Sequence, residues 1–88
     1  MIENVIIYQL ISVDGLCYSK IRAYIPQDQP DYERCVALGD AGHTIEVLDV
    51  FNAQDYDDIR NKMDEYTFCE ENVKTWLGSE REIFDARK

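Results

Sequence analysis

A nearly unbroken apolar run near the start of the chain, VIIYQLISV from Val5 to Val13, constrains the fold more than any other feature. The run is rich in β-branched and aromatic residues, which favour strands. A strand that is apolar at almost every position is covered on both of its faces. The run therefore predicts a central strand, with other strands on either side of it.

The dipeptide Asp14-Gly15 follows the run and predicts a hairpin with a two-residue type I′ turn. The return strand then covers residues 16–25 and ends at Pro26, because proline cannot donate a ladder hydrogen bond. A two-residue turn fixes the register of the two strands. The expected opposed pairs are Val13 with Leu16, Gln9 with Lys20, and Ile7 with Arg22.

Start and stop signals for helices divide the rest of the chain. Asp28-Gln29-Pro30 predicts a helix start, with Pro30 in the first turn, and Gly42 predicts its end. The sequence TIEVLDVF from Thr44 to Phe51 is typical of a third strand. Three capping-box patterns then predict helix starts: Asn52 with Asp55, Thr67 with Glu70, and Ser79 with Glu82.

These elements give the order β-β-α-β-α-α, with a short final helix after residue 79. A right-handed crossover from the return strand places the third strand on the free edge of the first, giving sheet order 2-1-3. We therefore expect an α+β, two-layer fold, with a three-stranded antiparallel or mixed sheet and helices packed on one face. The 88 residues form a single domain, 1–88.

The charge of the chain is strongly negative and unevenly spread. The 18 acidic and 9 basic residues give a net charge of −9. Residues 49–71 hold 8 of the acids and 2 of the bases, giving −6. Such a field repels nucleic acid and phospholipid headgroups and attracts basic protein surfaces. The charge therefore indicates a basic protein as the partner and disfavours nucleic acid and membranes as partners.

Compartment signals favour the cytoplasm. No apolar run approaches the ~20 residues of a membrane span, and the first residues show no signal-peptide pattern, so we take Met1 as the start of a cytoplasmic protein. The cysteines, Cys17, Cys35 and Cys69, are odd in number and lack a C-x-x-C pair. This spacing indicates reduced, core-facing thiols and neither disulfides nor a zinc site.

The sequence carries no recognisable catalytic constellation. His43 is the only histidine and opens the third strand, and its pairing with Cys35 as a nucleophile is the less favoured interpretation. No glycine-rich phosphate loop is present, and the acidic run QDYDDIRNKMDE does not fit a calcium loop because Ile59 occupies a ligand position. We expect no enzyme activity, no catalytic residues, no metal and no cofactor.

The helix expected after Asn52 offers the first candidate surface. Its apolar residues Tyr56, Ile59, Met63 and Tyr66 fall in one stripe. At 100° per residue the acidic side chains fall on the opposite side. We name as the acidic ridge the residues Asp57, Asp58, Asn61, Asp64 and Glu65, extended past Thr67 by Glu70 and Glu71. The ridge is either a solvated face or a docking surface for a basic partner.

The hairpin offers the second candidate surface. Its expected register places Ile6, Tyr8, Leu10, Cys17, Ile21 and Ala23 under the helices. The other face carries the sheet set, Ile7, Gln9, Ile11, Tyr18, Lys20, Arg22 and Tyr24. It suits a self-interface or a second partner surface, because tyrosine and arginine favour interface cores. RNA binding is disfavoured by the charge, and a C-terminal helix with Val73, Trp76 and Leu77 is the other way to cover this face.

The leading functional hypothesis is a non-enzymatic acidic protein that inhibits or modulates a basic, nucleic-acid-processing protein. A phage or mobile-element counter-defence inhibitor acting as a nucleic-acid mimic, of the anti-CRISPR or anti-restriction kind, is one setting for it. The alternative is a dimeric regulatory or antitoxin-like protein that docks through its sheet face. A third is a small enzyme with an unrecognised site.

Overall fold

The computed structural model describes residues 1–27, 43–78 and 80–87. In these ranges it contains one α-helix, α1 (Tyr56–Glu65), and one 3-10 turn (Thr67–Glu70). The strands are β1 (Ile2–Ile11), β2 (Cys17–Tyr18), β3 (Arg22–Ile25), β4 (Thr44–Ala53), β5 (Thr75–Trp76) and β6 (Ile83–Asp85). The helix expected between Asp28 and Gly42 lies outside the described residues.

Strand β1 is the centre of the sheet. It pairs antiparallel with β2 and β3, which follow one another along one of its edges, and with β4 along the other. Residues 5–10 of β1 are all buried. The α+β class, the mixed sheet and the order of the first three expected strands are thus confirmed.

The turn of the hairpin differs from the expected type I′ turn. The Ser12 N–H donates to the Cys17 carbonyl over 2.9 Å, which closes a four-residue loop, Val13–Leu16. Only Gly15 in this loop has a positive φ, of 76°, whereas a type I′ turn needs two such residues. The Asp14 carboxylate explains the change, because it accepts hydrogen bonds from the Ser12 hydroxyl and from the Leu16 N–H inside the loop.

A bulge at Ser19 shifts the register of the return strand. Ile11 faces Tyr18, as the expected register requires, but Ile7 faces Ala23 and not Arg22. The Ser19 N–H donates to the Leu10 carbonyl over 2.9 Å, and the Ser19 hydroxyl accepts the Leu10 N–H over 2.8 Å. One serine thus takes both ladder bonds of Leu10 and absorbs the extra residue. A one-residue shift reverses the faces of everything that follows.

The two faces of the sheet are therefore divided differently from the prediction. Helix α1 packs through Ile59 and Met63 on a core that contains Val5, Ile7 and Ala23. The opposite face carries Ile6, Tyr8, Leu10 and Tyr24. The expected helix-facing residues Ile21 and Ala23 are confirmed, whereas placing Ile6, Tyr8 and Leu10 under α1 is wrong. Both faces of β1 are apolar, so its pattern alone does not choose between them.

The C-terminal third contains strands where helices were expected. After the 3-10 turn the chain forms β5, parallel to β2, and β6, parallel to β3. The Thr67 hydroxyl donates back to the Asp64 carbonyl over 2.9 Å and caps no new helix. Glu70 does not close a capping box. Its carboxylate instead accepts hydrogen bonds from the Ile21 N–H, just before β3, and from the Arg81 guanidinium. Within the described residues, no helix has the length and apolar character to cross a bilayer.

Ser19→Ala should destabilise the fold by about 1–3 kcal/mol, because it leaves the buried Leu10 N–H without an acceptor. Ser12→Ala is the matched control. This substitution removes the hydroxyl that accepts the Cys17 N–H beside the exposed loop. Water can replace that hydroxyl there, so the loss of stability should be smaller. Urea unfolding of both variants measures the difference. Equal losses would show that the Ser19 hydroxyl does not hold the bulge.

Candidate functional site

Helix α1 begins three residues later than the sequence indicates. Asn52 lies inside β4, where its side-chain oxygen accepts the Asn4 N–H over 3.1 Å. The capping residue is Asp55, which accepts the Asp58 N–H over 2.9 Å, while Asp58 accepts the Gln54 N–H over 2.9 Å. Two acids therefore satisfy backbone N–H groups at the positive end of the helix dipole, with Asp58 bonding the residue before the cap instead of the cap itself. Asp58 has a structural task in addition to its place in the acidic ridge.

The apolar stripe of α1 faces the sheet as predicted. Ile59 and Met63 are buried, and Tyr56 and Tyr66 pack partly buried against the same core. Tyr66 donates its hydroxyl to Asp49 over 2.8 Å, and Tyr56 donates its hydroxyl to Asp85. Both ends of the stripe are thus held by polar bonds to strands, which fixes the rotation of the helix. The opposite side of α1 necessarily faces solvent.

The structure brings most of the acidic ridge together on this solvent side. Asp57, Asn61, Asp64 and Glu65 are exposed and Asp58 is half-buried. Three carboxylates have cation partners: Asp57 with Arg60 at 3.0 Å, Glu65 with Lys62 at 3.2 Å, and Asp64 with Arg81 at 2.9 Å. The ridge is therefore less purely negative than the pattern predicts, because Arg60 and Lys62 reach it and Arg81 comes from a distant segment.

Glu70 does not share the exposure of the ridge. Its side chain is 10% exposed, lies 2.6 Å from the Arg81 guanidinium, and accepts the buried Ile21 N–H over 3.0 Å. Burial acts to raise the pKa of the Glu70 carboxyl, but the bonds from Arg81 and Ile21 outweigh it and the pKa lies below its usual range. Glu70 connects the 3-10 turn to the return strand, while Glu71 beside it is exposed.

The sheet set is divided among several environments. Ile7 and Gln9 are buried on the α1 side, and Tyr24 is buried on the opposite face, stacked on Phe84 with ring centroids 5.7 Å apart. Arg22 is on that opposite face and pairs with Glu82 at 3.6 Å. Lys20 lies over the Trp76 ring at 3.6 Å, and Ile11 pairs with Tyr18. These residues do not form one exposed surface, because the Ser19 bulge separates them.

A groove of about 450 Å³ is the feature that the sequence analysis missed. We call it the β2 groove. Its described lining residues come from the hairpin, the start of β4, the 3-10 turn and the segment after that turn: Gln9, Gly15, Leu16, Tyr18, Glu46, Cys69, Asn72, Val73 and Lys74. Gln9 and Glu46 are register partners across β1 and β4. That pairing depends on a bulge in β4, which no spacing in the sequence reveals.

The Cys69 thiol in this groove has a perturbed environment. Burial raises its pKa first, and the carboxylates of Glu46 and Glu70 raise it further. Cys17 is also a free thiol and is partly buried. Cys35 lies outside the described residues, so its pairing with His43 stays a prediction. In the described ranges no three His, Cys, Asp or Glu side chains are grouped as metal ligands.

Comparison with known proteins returned no match among family models, curated proteins or solved structures. Function must therefore be inferred from the surfaces described above.

The lowered pKa of Glu70 predicts a pH dependence of stability. A carboxyl whose folded-state pKa lies below its unfolded value stabilises the fold above the unfolded value, about 4.3, and loses that contribution as pH falls through the folded value. Glu70→Gln should therefore reduce the free energy of unfolding by about 1–3 kcal/mol at pH 7, and by less near pH 3. Urea unfolding at both pH values measures this. A deficit of equal size at both would contradict the assignment.

Proposed function

We propose that this chain is a non-enzymatic binding protein that docks onto a basic protein partner through its acidic ridge. The single observation that carries the proposal is the grouping of exposed carboxylates on one side of a helix whose other side is locked into the core. The net charge of −9 supports it, because the long-range field favours approach of a positive surface.

The geometry of the ridge suits a partner that ordinarily binds nucleic acid. With 100° and 1.5 Å per residue, Asp57, Asn61, Asp64 and Glu65 fall in an arc of about 100°, and Asp57 and Asp64 lie about 10 Å apart along the axis. The phosphates of one DNA strand rise about 3.4 Å per step along the helix axis, so three steps cover a similar axial length. Lysines and arginines spaced for a phosphate backbone can therefore meet these carboxylates.

The ion pairs on the ridge do not oppose this function. Asp57, Asp64 and Glu65 are 86%, 64% and 63% exposed, so water screens their pairs. Pairs of this kind contribute only about 0–1 kcal/mol. A partner that offers several cations at once can replace the intramolecular ones at little cost.

In biological terms, we propose an inhibitor that occupies the nucleic-acid site of a processing or defence enzyme. A counter-defence protein of the anti-CRISPR or anti-restriction kind has this size and charge, and the analogy rests on those two properties. The alternative, a dimer that docks through the sheet set, has no comparable exposed surface among the described residues, because Ile7, Gln9 and Tyr24 are buried.

The test is affinity capture from the native host lysate with two variants of equal charge. The ridge variant carries Asp57→Asn, Asp64→Asn and Glu65→Gln, and leaves the capping bonds of Asp55 and Asp58 intact. The control variant carries Glu3→Gln, Glu80→Gln and Glu82→Gln, three exposed acids elsewhere. Both change the net charge by +3, so any difference between them reports position and not total charge.

The ridge variant should lose its partner by tenfold or more, since removal of a steering patch slows association, while the control variant should retain most of it. Circular dichroism should show both variants folded. Capture that is reduced equally in the two variants, or in neither, would contradict docking through the ridge.

A further inference from the structure

The β2 groove has the shape of a binding site. Its volume, about 450 Å³, lies within the usual range for pockets that hold small ligands or side chains. Leu16, Tyr18 and Val73 supply apolar and aromatic surface. Leu16 is 70% exposed, so its side chain is open to an occupant of the groove. An occupant with an apolar portion would cover this surface.

The polar groups of the groove favour a cation. Glu46 is exposed, and among the described residues it has no ion-pair or hydrogen-bond partner. Its carboxylate is close enough to the Cys69 sulfur to raise the thiol pKa, and Glu70 acts on the same thiol. Among the described lining residues, Glu46 is therefore the carboxylate that can meet a cation. Lys74 is the one cation among the described lining residues, and it is exposed.

We propose that the β2 groove binds an arginine side chain of the basic partner, with the guanidinium at Glu46 and the aliphatic stem along Leu16, Tyr18 and Val73. The identity of the ligand rests on the proposed function, whereas the groove itself does not. Arginine fits better than lysine because a planar guanidinium binds a carboxylate with two hydrogen bonds and also stacks on an aromatic ring. The buried amide of Gln9 adds a polar group at the groove.

The groove also continues the acidic ridge along the chain. The helical part of the ridge ends at Glu65, the 3-10 turn that follows contributes Cys69 to the groove wall, and Asn72 and Val73 come directly after the turn. Glu71, an exposed acid, lies between them. A partner that lays a row of basic side chains on α1 can therefore place a further one in the groove. This arrangement would give the interface a specific contact in addition to long-range steering.

The probe is the peptide acetyl-glycyl-arginyl-glycinamide, titrated into the ¹⁵N-labelled full chain and followed by NMR. The arginine peptide should shift the amide signals of Leu16, Tyr18, Glu46 and Val73. Its citrulline counterpart has the same shape without charge and should bind about tenfold more weakly, because a charge-assisted bond becomes a neutral one. A lysine peptide should also bind more weakly than the arginine peptide.

Two variants complete the experiment. Glu46→Gln should weaken binding of the arginine peptide by about tenfold, whereas Glu3→Gln, about 20 Å away along β1, should not. The peptide should also slow alkylation of Cys69, with Cys17 in the same sample as the reference. Absence of shifts at the groove amides, equal binding of the citrulline or lysine peptide, or an unaffected Glu46→Gln variant would overturn the proposal.

The outcomes separate this inference from the proposed function. Loss of capture by the ridge variant together with no peptide binding refutes the groove and leaves the ridge in place. Peptide binding together with normal capture by the ridge variant refutes docking through the ridge and leaves the groove as a site for arginine.

Discussion

Strand β1 is hydrogen-bonded along both edges and buried on both faces, and the rest of the structure depends on this. Its residues 5–10 supply both cores, one shared with α1 and one on the opposite face. Burial of so many branched and aromatic side chains is the dominant stabilising term in a domain of this size. Because β1 occupies the centre, β4 and the return strand lie along its two edges, and α1, which follows β4 closely, packs across one of the two apolar faces.

Side-chain bonds then hold the short peripheral elements, which bury little by themselves. The Glu70 carboxylate joins the 3-10 turn to Ile21, the residue before β3, and its ion pair with Arg81 joins the turn to the segment before β6. Asp85 accepts bonds from Arg87 and from the Tyr56 hydroxyl, and the Arg87 guanidinium holds the pKa of the Asp85 carboxyl well below its usual range. The Tyr56–Asp85 bond orients α1, and the bonds of Glu70 anchor the 3-10 turn that contributes Cys69 to the β2 groove.

The central strand, the order of the first three strands and the buried stripe of α1 could be predicted because each follows from local periodicity. The turn could not, because Asp14 selects its own loop through side-chain bonds. The bulge depends on one hydroxyl, that of Ser19, and reverses the faces of β3. The capping patterns at Thr67 and Ser79 predict helices, but the described residues after the 3-10 turn pair with sheet edges as β5 and β6, and that long-range pairing leaves no local signal. The ridge was recognisable from helical spacing, whereas the groove joins Gln9, Glu46 and Cys69 through long-range pairing that no pattern encodes.

The central claim is that charge on α1 guides a basic partner to this protein. The most direct test is the association rate constant of the captured partner, measured by surface plasmon resonance as ionic strength rises from about 0.05 to 0.5 M, over which the Debye length falls severalfold. Steering by the ridge predicts an association rate that falls by tenfold or more while the dissociation rate changes little. An association rate that stays constant across this range would contradict the claim and would indicate docking through apolar surface instead.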